Sequence, residues 1–477
     1  MNNYNTHNLV TFSNSILKHF GVKPFHQTEE AVDKILANHK KVVAILFDGM
    51  GQNIVKMHLK DNAFIREHYL CTINSTFPPT TTAATTAFLT GKYPIETGWM
   101  SWTQYFEKYN RNIILFTNKD YNTEEKITPE HIAEVDLPFK DITTLIKEQN
   151  PSVQTFNVKR FPVDPNGPKK LRDLERIINK SIEGVDSCFG YFYFDSPDYE
   201  MHAHGIDNWR IHVIVRRIND MVRRLAKKNP DTLFLTFADH GHINVTFLDI
   251  DEHPDLHNLL KHPMSFEKRT PVFFIKDGKQ EEFKELFNKY YSEHFLLMSK
   301  KEALEAQIFG EGEINPKAVE FIGDYVATSV DRYCLYSSSE LKEFKLFKGH
   351  HAGNTAEEMK MQNEGRRILH LPDLKVTCTC VRVPVYRSHS ISFTAVTEDK
   401  VTVGQARDAI MNAEGTKLVE DHVPSPLETS NQDIVYVGRI REDLCEENGL
   451  AMWCCGDQIR KGAAANAVQI MEYLLSH

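Results

Sequence analysis

The sequence predicts an α/β protein whose central sheet is doubly wound, with helices on both faces, and three apolar runs are the basis of this prediction. Residues 42–47, 188–194 and 232–238 are rich in aliphatic and aromatic side chains and have the length of buried strands. Residues 169–182 are predicted as a helix, and residues 209–228 place apolar side chains at three- and four-residue intervals, as a surface helix does. Strands and helices that alternate, with polar residues after each strand, are typical of a doubly wound sheet.

The first predicted strand delivers a carboxylate to the place where such sheets bind ligands. Residues 42–47 are bounded by lysines on one side and by Asp48 and a glycine turn on the other. Open α/β sheets bind ligands at the carboxyl ends of their strands. We therefore expect Asp48 to lie at the edge of a site.

A threonine cluster follows in residues 77–91, and it continues into an alanine-rich helical pattern. One threonine should lie at the start of this helix, where unpaired N–H groups and the helix dipole favour a bound phosphate and lower the pKa of a hydroxyl. That is a suitable position for a nucleophile. An ordinary threonine N-cap explains the same pattern equally well.

Length, composition and charge bound the function. The chain has 477 residues, 41% of them hydrophobic and 25% charged, which is enough for two or more globular domains. A net charge of -9 argues against a nucleic-acid polymer as partner. The polar start in residues 1–28 does not resemble a signal peptide, and no apolar run reaches the length of a membrane span. The eight cysteines form no CxxC pair and are expected to be reduced. We expect a soluble, cytoplasmic protein with no membrane partner.

The remaining elements are predicted in order along the chain. Residues 28–39 form an amphipathic helix before the first strand, and residues 153–156 form a short strand. Residues 93–109 are predicted as an aromatic-rich loop, and an irregular stretch follows it to about residue 151. Residues 243–340 alternate weakly and are expected to insert as a cap or peripheral region.

Candidate metal ligands follow the predicted strands. They are Asp48, Asp198 with His202, Asp239 with His240, and a later histidine pair, His350 and His351. Carboxylates and imidazoles without cysteine suit zinc, manganese or iron, and five or six of them are enough for two ions. Two metal ions clamp the attacking and leaving oxygens of a phosphoryl group. One Asp-His pair alone is weak evidence, but the whole set is hard to explain by structural roles.

Residues 1 to about 353 resemble the alkaline phosphatase superfamily, in the branch of nucleotide pyrophosphatases and phosphodiesterases. The matching motifs are the strand that ends in Asp48 and residues 77–91, 197–202, 238–241 and 349–353. The resemblance implies Thr81 as the nucleophile, with Thr80 as the alternative. It assigns Asp198, His202 and His351 to one zinc ion, and Asp48, Asp239 and His240 to the other.

The chemistry implied by this resemblance is hydrolysis of phosphate esters. Thr81 would attack phosphorus and form a phosphothreonine, which water would then hydrolyse. The expected cofactors are two divalent metal ions, zinc with manganese as the alternative, and the expected partner is a small phosphorylated substrate. Many phosphodiesterases of the family have an asparagine where this chain has Ala84. Diesters, pyrophosphates, monoesters and phosphonates therefore all stay open, and so does a phosphate-sugar mutase.

The tail, residues 354–477, resembles the C-terminal part of aspartate-semialdehyde dehydrogenase. The motifs are residues 376–390, 438–441 and 456–467. The resemblance assigns Arg382 to the substrate carboxylate and His389 to acid/base catalysis. It implies an incomplete α+β segment from a catalytic domain.

The parts that a dehydrogenase needs are missing, because the chain contains neither a glycine-rich dinucleotide fingerprint nor an Asn-Cys nucleophile segment. We expect the tail to be inactive on its own and to bind no NADP. The two patterns meet near residue 354 without a linker, which indicates a chimeric chain. The alternative to an enzyme is a non-catalytic chimeric or interaction protein that pairs, or oligomerises, through this tail.

Overall fold

The fold is taken from a computed structural model that describes residues 6–123, 125–159, 167–337, 366–367, 370, 378–380 and 387–476. The chain divides into two compact units, residues 1–348 and 349–477. The boundary predicted near residues 353 and 354 lies outside the described residues. No helix in the described ranges is both long and apolar enough to cross a bilayer.

The strands of the first unit are β1 (Lys41–Phe47), β2 (Thr103–Phe106), β3 (Arg111–Ile114), β4 (Lys119–Asp120), β5 (Gln154–Val158), β6 (Cys188–Phe194), β7 (Thr232–Phe237), β8 (Thr246–Asp249), β9 (Ser265–Glu267), β10 (Thr270–Phe273), β11 (Phe295–Ser299), β12 (Tyr325–Ser329) and β13 (Tyr333–Tyr336). Its helices are α1 (Leu9–His19), α2 (Glu30–Leu36), α3 (Gln52–His58), α4 (Phe64–Glu67), α5 (Thr81–Thr90), α6 (Pro94–Thr97), α7 (Ile132–Asp136), α8 (Ile142–Gln149), α9 (Leu171–Ile182), α10 (Asp198–His204), α11 (Trp209–Lys228), α12 (Pro254–His257), α13 (Gln280–Tyr291), α14 (Lys300–Glu305) and α15 (Pro316–Phe321).

The central sheet is parallel, with the strand order β5-β6-β1-β7. Side chains alternate along β1, so that Val42 and Leu46 pack in one core with α1, α5 and α8, and Val43 and Phe47 pack in another with α3, α9 and α11. Both faces are therefore covered by helices, and each fully buried aliphatic or phenylalanine side chain contributes about 1.5–3 kcal/mol. The predicted α/β fold with helices on both faces of the sheet is confirmed.

The stretch from residue 93 to residue 151 was predicted as loop and irregular chain, and that prediction is wrong. It contains α6, α7 and α8, and a small antiparallel sheet of β2, β3 and β4. These elements are two to eight residues long. Such elements are too short to show a clear hydrophobic period in the sequence.

The region predicted as a cap or peripheral insertion has its own architecture. It contains an antiparallel sheet with the order β11-β12-β10-β9 and a parallel pair, β13 and β8. Phe273, Phe283 and Phe287 form its core with their neighbours on β10 and α13. The sheet brings Glu267, at the end of β9, into contact with Thr80.

The second unit contains β14 (His389–Val396), α16 (Val403–Asn412), β15 (Thr416–Val419), α17 (Pro426–Thr429), β16 (Val435–Glu442), β17 (Gly449–Gly456) and α18 (Ala465–Ser476). Its sheet has the order β14-β17-β16-β15, in which only β15 and β16 pair in parallel among the described strands. A small core forms around Ala406, Val437, Ile440 and Leu450. β14 is an edge strand, and nearly all of its side chains are exposed.

Candidate metal centre and nucleophile

Three carboxylates lie at the carboxyl end of the central sheet. β1, β6 and β7 run parallel and in register, so the residues that follow them are close in space. Asp48 follows β1, Asp198 begins α10 after β6, and Asp239 comes two residues after β7. Asp48 is 3% exposed and Asp239 is 0% exposed. The structure thus brings three carboxylates, two of them buried, close together at this edge of the sheet.

Thr81 is the first residue of α5, and its hydroxyl points at this carboxylate group. Thr81 Oγ1 lies 3.2 Å from Asp48 Oδ1 and 3.2 Å from His240 Nε2. Thr80 is the N-cap, but its side chain makes no capping hydrogen bond and instead donates to Glu267 Oε1 at 2.7 Å. The two candidate threonines therefore have different surroundings, and only Thr81 faces both Asp48 and His240 among the described contacts.

The hydrogen bonds of Asp239 and His240 to the backbone leave one ligand atom of each side chain directed at the site. Asp239 Oδ1 accepts from the N–H groups of Gly49, at 3.1 Å, and of His240, at 3.0 Å. Asp239 Oδ2 is buried without a hydrogen-bond partner in the described part of the chain. His240 Nδ1 lies 2.8 Å from the Gly241 carbonyl oxygen, so it donates there and leaves Nε2 as the nitrogen that can bind a metal ion. Nε2 lies 3.4 Å from Asp48 Oδ1 and 3.7 Å from Asp239 Oδ2.

Burial and crowding of like charges shift the proton affinities of this group. Burial raises the pKa of Asp48 well above its usual range, and the Asp239 carboxylate adds to that rise. Burial also raises the pKa of Asp198. Burial alone would lower the pKa of His240, but the Asp239 and Asp48 carboxylates outweigh it and raise that pKa. Three carboxylates thus share the positive charge of one imidazole, and a divalent cation would supply the rest.

Two sets of side chains have the chemistry and spacing of metal sites. Asp48, Asp198 and His240 form one set, and the other contains Asp198 with His202 and His242. In each set the ligand atoms all lie within 4.8 Å of one another. Oxygen and imidazole nitrogen donors suit zinc or manganese. Asp198 Oδ1, Asp239 Oδ2 and His242 Nε2 are buried and have no hydrogen-bond partner within the described ranges, so these residues fit a divalent metal.

No role was predicted for His242, although it directly follows the motif of residues 238–241. Its Nε2 atom is 4.0 Å from Asp198 Oδ1, and its ring centroid is 4.5 Å from that of His202. Burial and the neighbouring imidazoles of His202 and His240 lower the pKa of His242 to about 4. The side chain is thus neutral at pH 7, as a metal-binding imidazole must be.

Two other side chains at the site could not be found from the sequence. Tyr193, in β6, donates its hydroxyl to Asp48 Oδ2 at 2.5 Å. Glu267, in β9, accepts at Oε1 from Thr80 and from the N–H of Trp102, at 3.1 Å. An aromatic residue in an apolar strand and a glutamate in a weakly patterned region give no signal of a site.

Gly49 fits its position because a side chain has no room there. Its φ of 68° is in the left-handed region, and a Cβ atom would lie 2.8 Å from Asp198 Oδ1. The glycine turn after β1 therefore lets α10 bring Asp198 next to the backbone that follows Asp48.

Three further residues selected from the sequence are His351, Arg382 and His389. His351 and Arg382 lie outside the described residues. His389 is the first residue of β14 in the second unit, and it is exposed.

Comparison with protein families decides what the first unit is. Residues 42–354, more than half of the chain, match the family of type I phosphodiesterases / nucleotide pyrophosphatases. The chain belongs to that family. A solved structure similar to this phosphodiesterase family member is murine ectonucleotide pyrophosphatase / phosphodiesterase 5, at 14% identity and a TM-score of 0.47. The similarity covers 63% of this chain and 82% of that one.

The tail of this phosphodiesterase family member matches a second family, the semialdehyde dehydrogenase dimerisation domain, over residues 341–461. It is 50% identical over 124 residues to aspartate-semialdehyde dehydrogenase of Prochlorococcus marinus, which is 25% of this chain and 36% of that protein. It is 51% identical over 123 residues to the enzyme of Synechocystis sp., again 25% of this chain and 36% of that protein. The chain thus spans about a third of the length of the curated relatives that it matches. Both predicted resemblances are confirmed, and the chain joins segments that match the two families.

Proposed function

We propose that this chain hydrolyses phosphate esters through a phosphothreonine on Thr81 at a site with two divalent metal ions, zinc or alternatively manganese. One observation carries the proposal. The Thr81 hydroxyl, at the start of α5, lies 3.2 Å from both Asp48 Oδ1 and His240 Nε2. A hydroxyl that contacts a buried carboxylate and an imidazole at a helix N-terminus has the surroundings of an activated nucleophile.

Asp48, Asp239 and His240 would hold one ion. Asp198 and His202 would bind the other ion, and the family resemblance adds His351 as a further ligand of that second ion. Divalent ions bound there would lower the pKa of the Thr81 hydroxyl and neutralise charge on the phosphoryl oxygens.

The residues of the chain divide the reaction into two displacements. Thr81 Oγ1 forms a bond to phosphorus while the bond from phosphorus to the leaving alcohol breaks, and in sum one proton moves from Thr81 to that alcohol. Water then adds a hydroxyl to phosphorus, the Oγ1–phosphorus bond breaks, and the water's other proton returns to Thr81. The N–H groups in the first turn of α5 have no intrahelical partners and can donate to the phosphoryl oxygens.

The substrate class stays open between phosphodiesters or pyrophosphates and monoesters. Ala84 was noted as a departure from the family, but its side chain is buried in the core with Phe88. The residue at position 84 therefore gives no support for either class, and a phosphate-sugar mutase also stays open.

The proposal is tested by hydrolysis of a paired panel, an aryl phosphate monoester and an aryl phosphodiester, with added Zn²⁺ or Mn²⁺ and with a chelator. We expect turnover of at least one ester that the chelator abolishes and that metal restores. The ratio of the two rates then identifies the substrate class. No turnover of either ester by protein that has bound metal would contradict the proposal.

A second candidate function is an interaction through the tail, and the exposure of β14 favours it. Ile391, Phe393 and Val396 are 48%, 39% and 58% exposed, and on α18 Leu474 and Leu475 are 71% and 81% exposed. Apolar surface of this kind marks interaction sites. We propose that the tail pairs with a second copy or with an intact aspartate-semialdehyde dehydrogenase, while it has no dehydrogenase activity and binds no NADP. We also retain the cytoplasmic location as a proposal.

Full-length protein should therefore elute as an oligomer in size-exclusion chromatography with light scattering. The substitutions Ile391→Lys and Phe393→Lys together should shift it to the monomer mass, because they place charge on the apolar face of β14 that carries Ile391 and Phe393. Ser392→Lys is the matched control, since Ser392 is exposed on the opposite face of the same strand. An oligomer that survives the double substitution, or a monomeric wild type, would exclude pairing through this face.

A further inference from the structure

His242 occupies a position beside the Asp198 and His202 pair that no structural role explains. Its side chain is 17% exposed, and its Nε2 has no hydrogen-bond partner within the described part of the chain. That atom lies 4.0 Å from Asp198 Oδ1. His202 approaches the other oxygen of the same carboxylate, with Nε2 at 3.4 Å from Asp198 Oδ2. Two imidazoles thus approach one carboxylate from different elements.

The spacing fits ligands that share one ion. A tetrahedral zinc with bonds of about 2.0–2.1 Å separates its ligand atoms by roughly 3.3–3.4 Å. Asp198 meets the two imidazole nitrogens at 3.4 Å and 4.0 Å, and the ligand atoms of Asp198, His202 and His242 all lie within 4.8 Å of one another. Small rotations of the side chains would bring all three to one centre.

A hydrogen bond and tight backbone packing hold His242 in place. Asn53, in α3, donates from Nδ2 to the His242 carbonyl oxygen at 2.6 Å. The preceding residue, Gly241, packs so tightly on Gly51 that a Cβ on Gly51 would lie 2.6 Å from the Gly241 Cα. The turn after β7 is thereby fixed against the turn after β1. The imidazole is presented by two fixed backbone segments, as a preorganised ligand requires.

We propose that His242 is a direct ligand of the metal ion that Asp198 and His202 hold. This inference rests on the proposed metal centre and adds to it a ligand that the family resemblance does not supply, since that resemblance assigns His351 instead. The ligand class is a divalent cation with a preference for nitrogen and oxygen donors, zinc in the first place.

The test is metal binding by the full chain, independent of activity. Metal-free protein is titrated with Zn²⁺ by calorimetry and with Co²⁺ by visible absorption, for the wild type, His242→Ala and His242→Gln. We expect two equivalents in the wild type. Either substitution should weaken one of them at least about 100-fold, because even loss of an outer partner of a ligand weakens metal binding about 10–100-fold. The Co²⁺ bands of that site should also lose intensity or shift.

His204→Ala is the matched control, because His204 lies on the same helix as His202, is exposed, and contacts Arg210 through Nε2 at 2.9 Å. It should bind both ions as the wild type does. Two equivalents with unchanged affinity and spectrum in both His242 variants would overturn the inference, while the proposed function would stand. Loss of the site in His351→Ala but in neither His242 variant would also overturn it. A wild type that binds no metal would instead refute the metal centre itself. Far-UV circular dichroism checks that each variant is folded.

Discussion

Thr81→Ala is expected to lower the turnover of the preferred aryl phosphate ester by at least about 10³-fold, since removal of a nucleophile costs this much or more in enzymes with covalent intermediates. The hydroxyl contacts both Asp48 Oδ1 and His240 Nε2, and a methyl group can neither attack phosphorus nor replace these contacts. Metal binding should persist in the variant, because the carboxylates and imidazoles are unchanged. Steady-state kinetics with saturating metal measure the loss.

Thr80→Ala is the matched control for this experiment. Thr80 is the neighbouring residue and carries the same group, but its hydroxyl donates to Glu267. Its loss should cost far less activity than the loss of Thr81. Thr81→Ser should keep measurable turnover. When the reaction is quenched rapidly, peptide mass spectrometry should detect a phosphate on residue 81. Full activity in Thr81→Ala, or a trapped phosphate on Thr80, would contradict the assignment.

The sequence was sufficient to predict those parts of the fold that leave a pattern along a whole strand. β1, β6 and β7 were predicted because a strand buried on both faces must be apolar throughout. The proximity of Asp48 and Asp239 follows from the same pattern, because parallel strands end at one edge of their sheet. The bounds were close as well, since the strand predicted at 232–238 is observed at Thr232–Phe237.

The parts that the sequence did not provide depend on tertiary contacts. Tyr193 lies in a strand full of aromatic residues, and only the packing of β6 beside β1 brings its hydroxyl to Asp48. Glu267 contacts Thr80 across 187 positions of sequence, and such a pair has no local signature. His242 was visible as a second histidine directly after the motif of residues 238–241, but only the position of α10 relates it to His202.

Metal removal should destabilise the wild type, and Asp239→Asn should reverse part of that effect. Ligand binding to the folded state alone stabilises it by about 2.7 kcal/mol at a free concentration 100 times the Kd. The wild-type melting temperature should therefore fall when a chelator replaces Zn²⁺. Asp239→Asn should bind one equivalent fewer, because Asp239 Oδ2 is the atom available to an ion. Differential scanning calorimetry with and without metal measures both effects.

The diagnostic result is that the wild type is the more stable protein with metal but loses this advantage over Asp239→Asn in chelator. With metal, the wild type should be the more stable, since its buried carboxylates are compensated. In chelator, Asp239→Asn should be at least as stable as the wild type, because it keeps the Oδ1 that accepts from Gly49 and His240 and removes a buried carboxylate that repels Asp48. Asp231→Asn, at the opposite end of the same sheet and paired on the surface with Lys41, should leave metal binding unchanged. If Asp239 had only a structural role, Asp239→Asn would destabilise the protein equally with metal and in chelator. A destabilisation that differs between the two conditions therefore identifies Asp239 as a metal ligand.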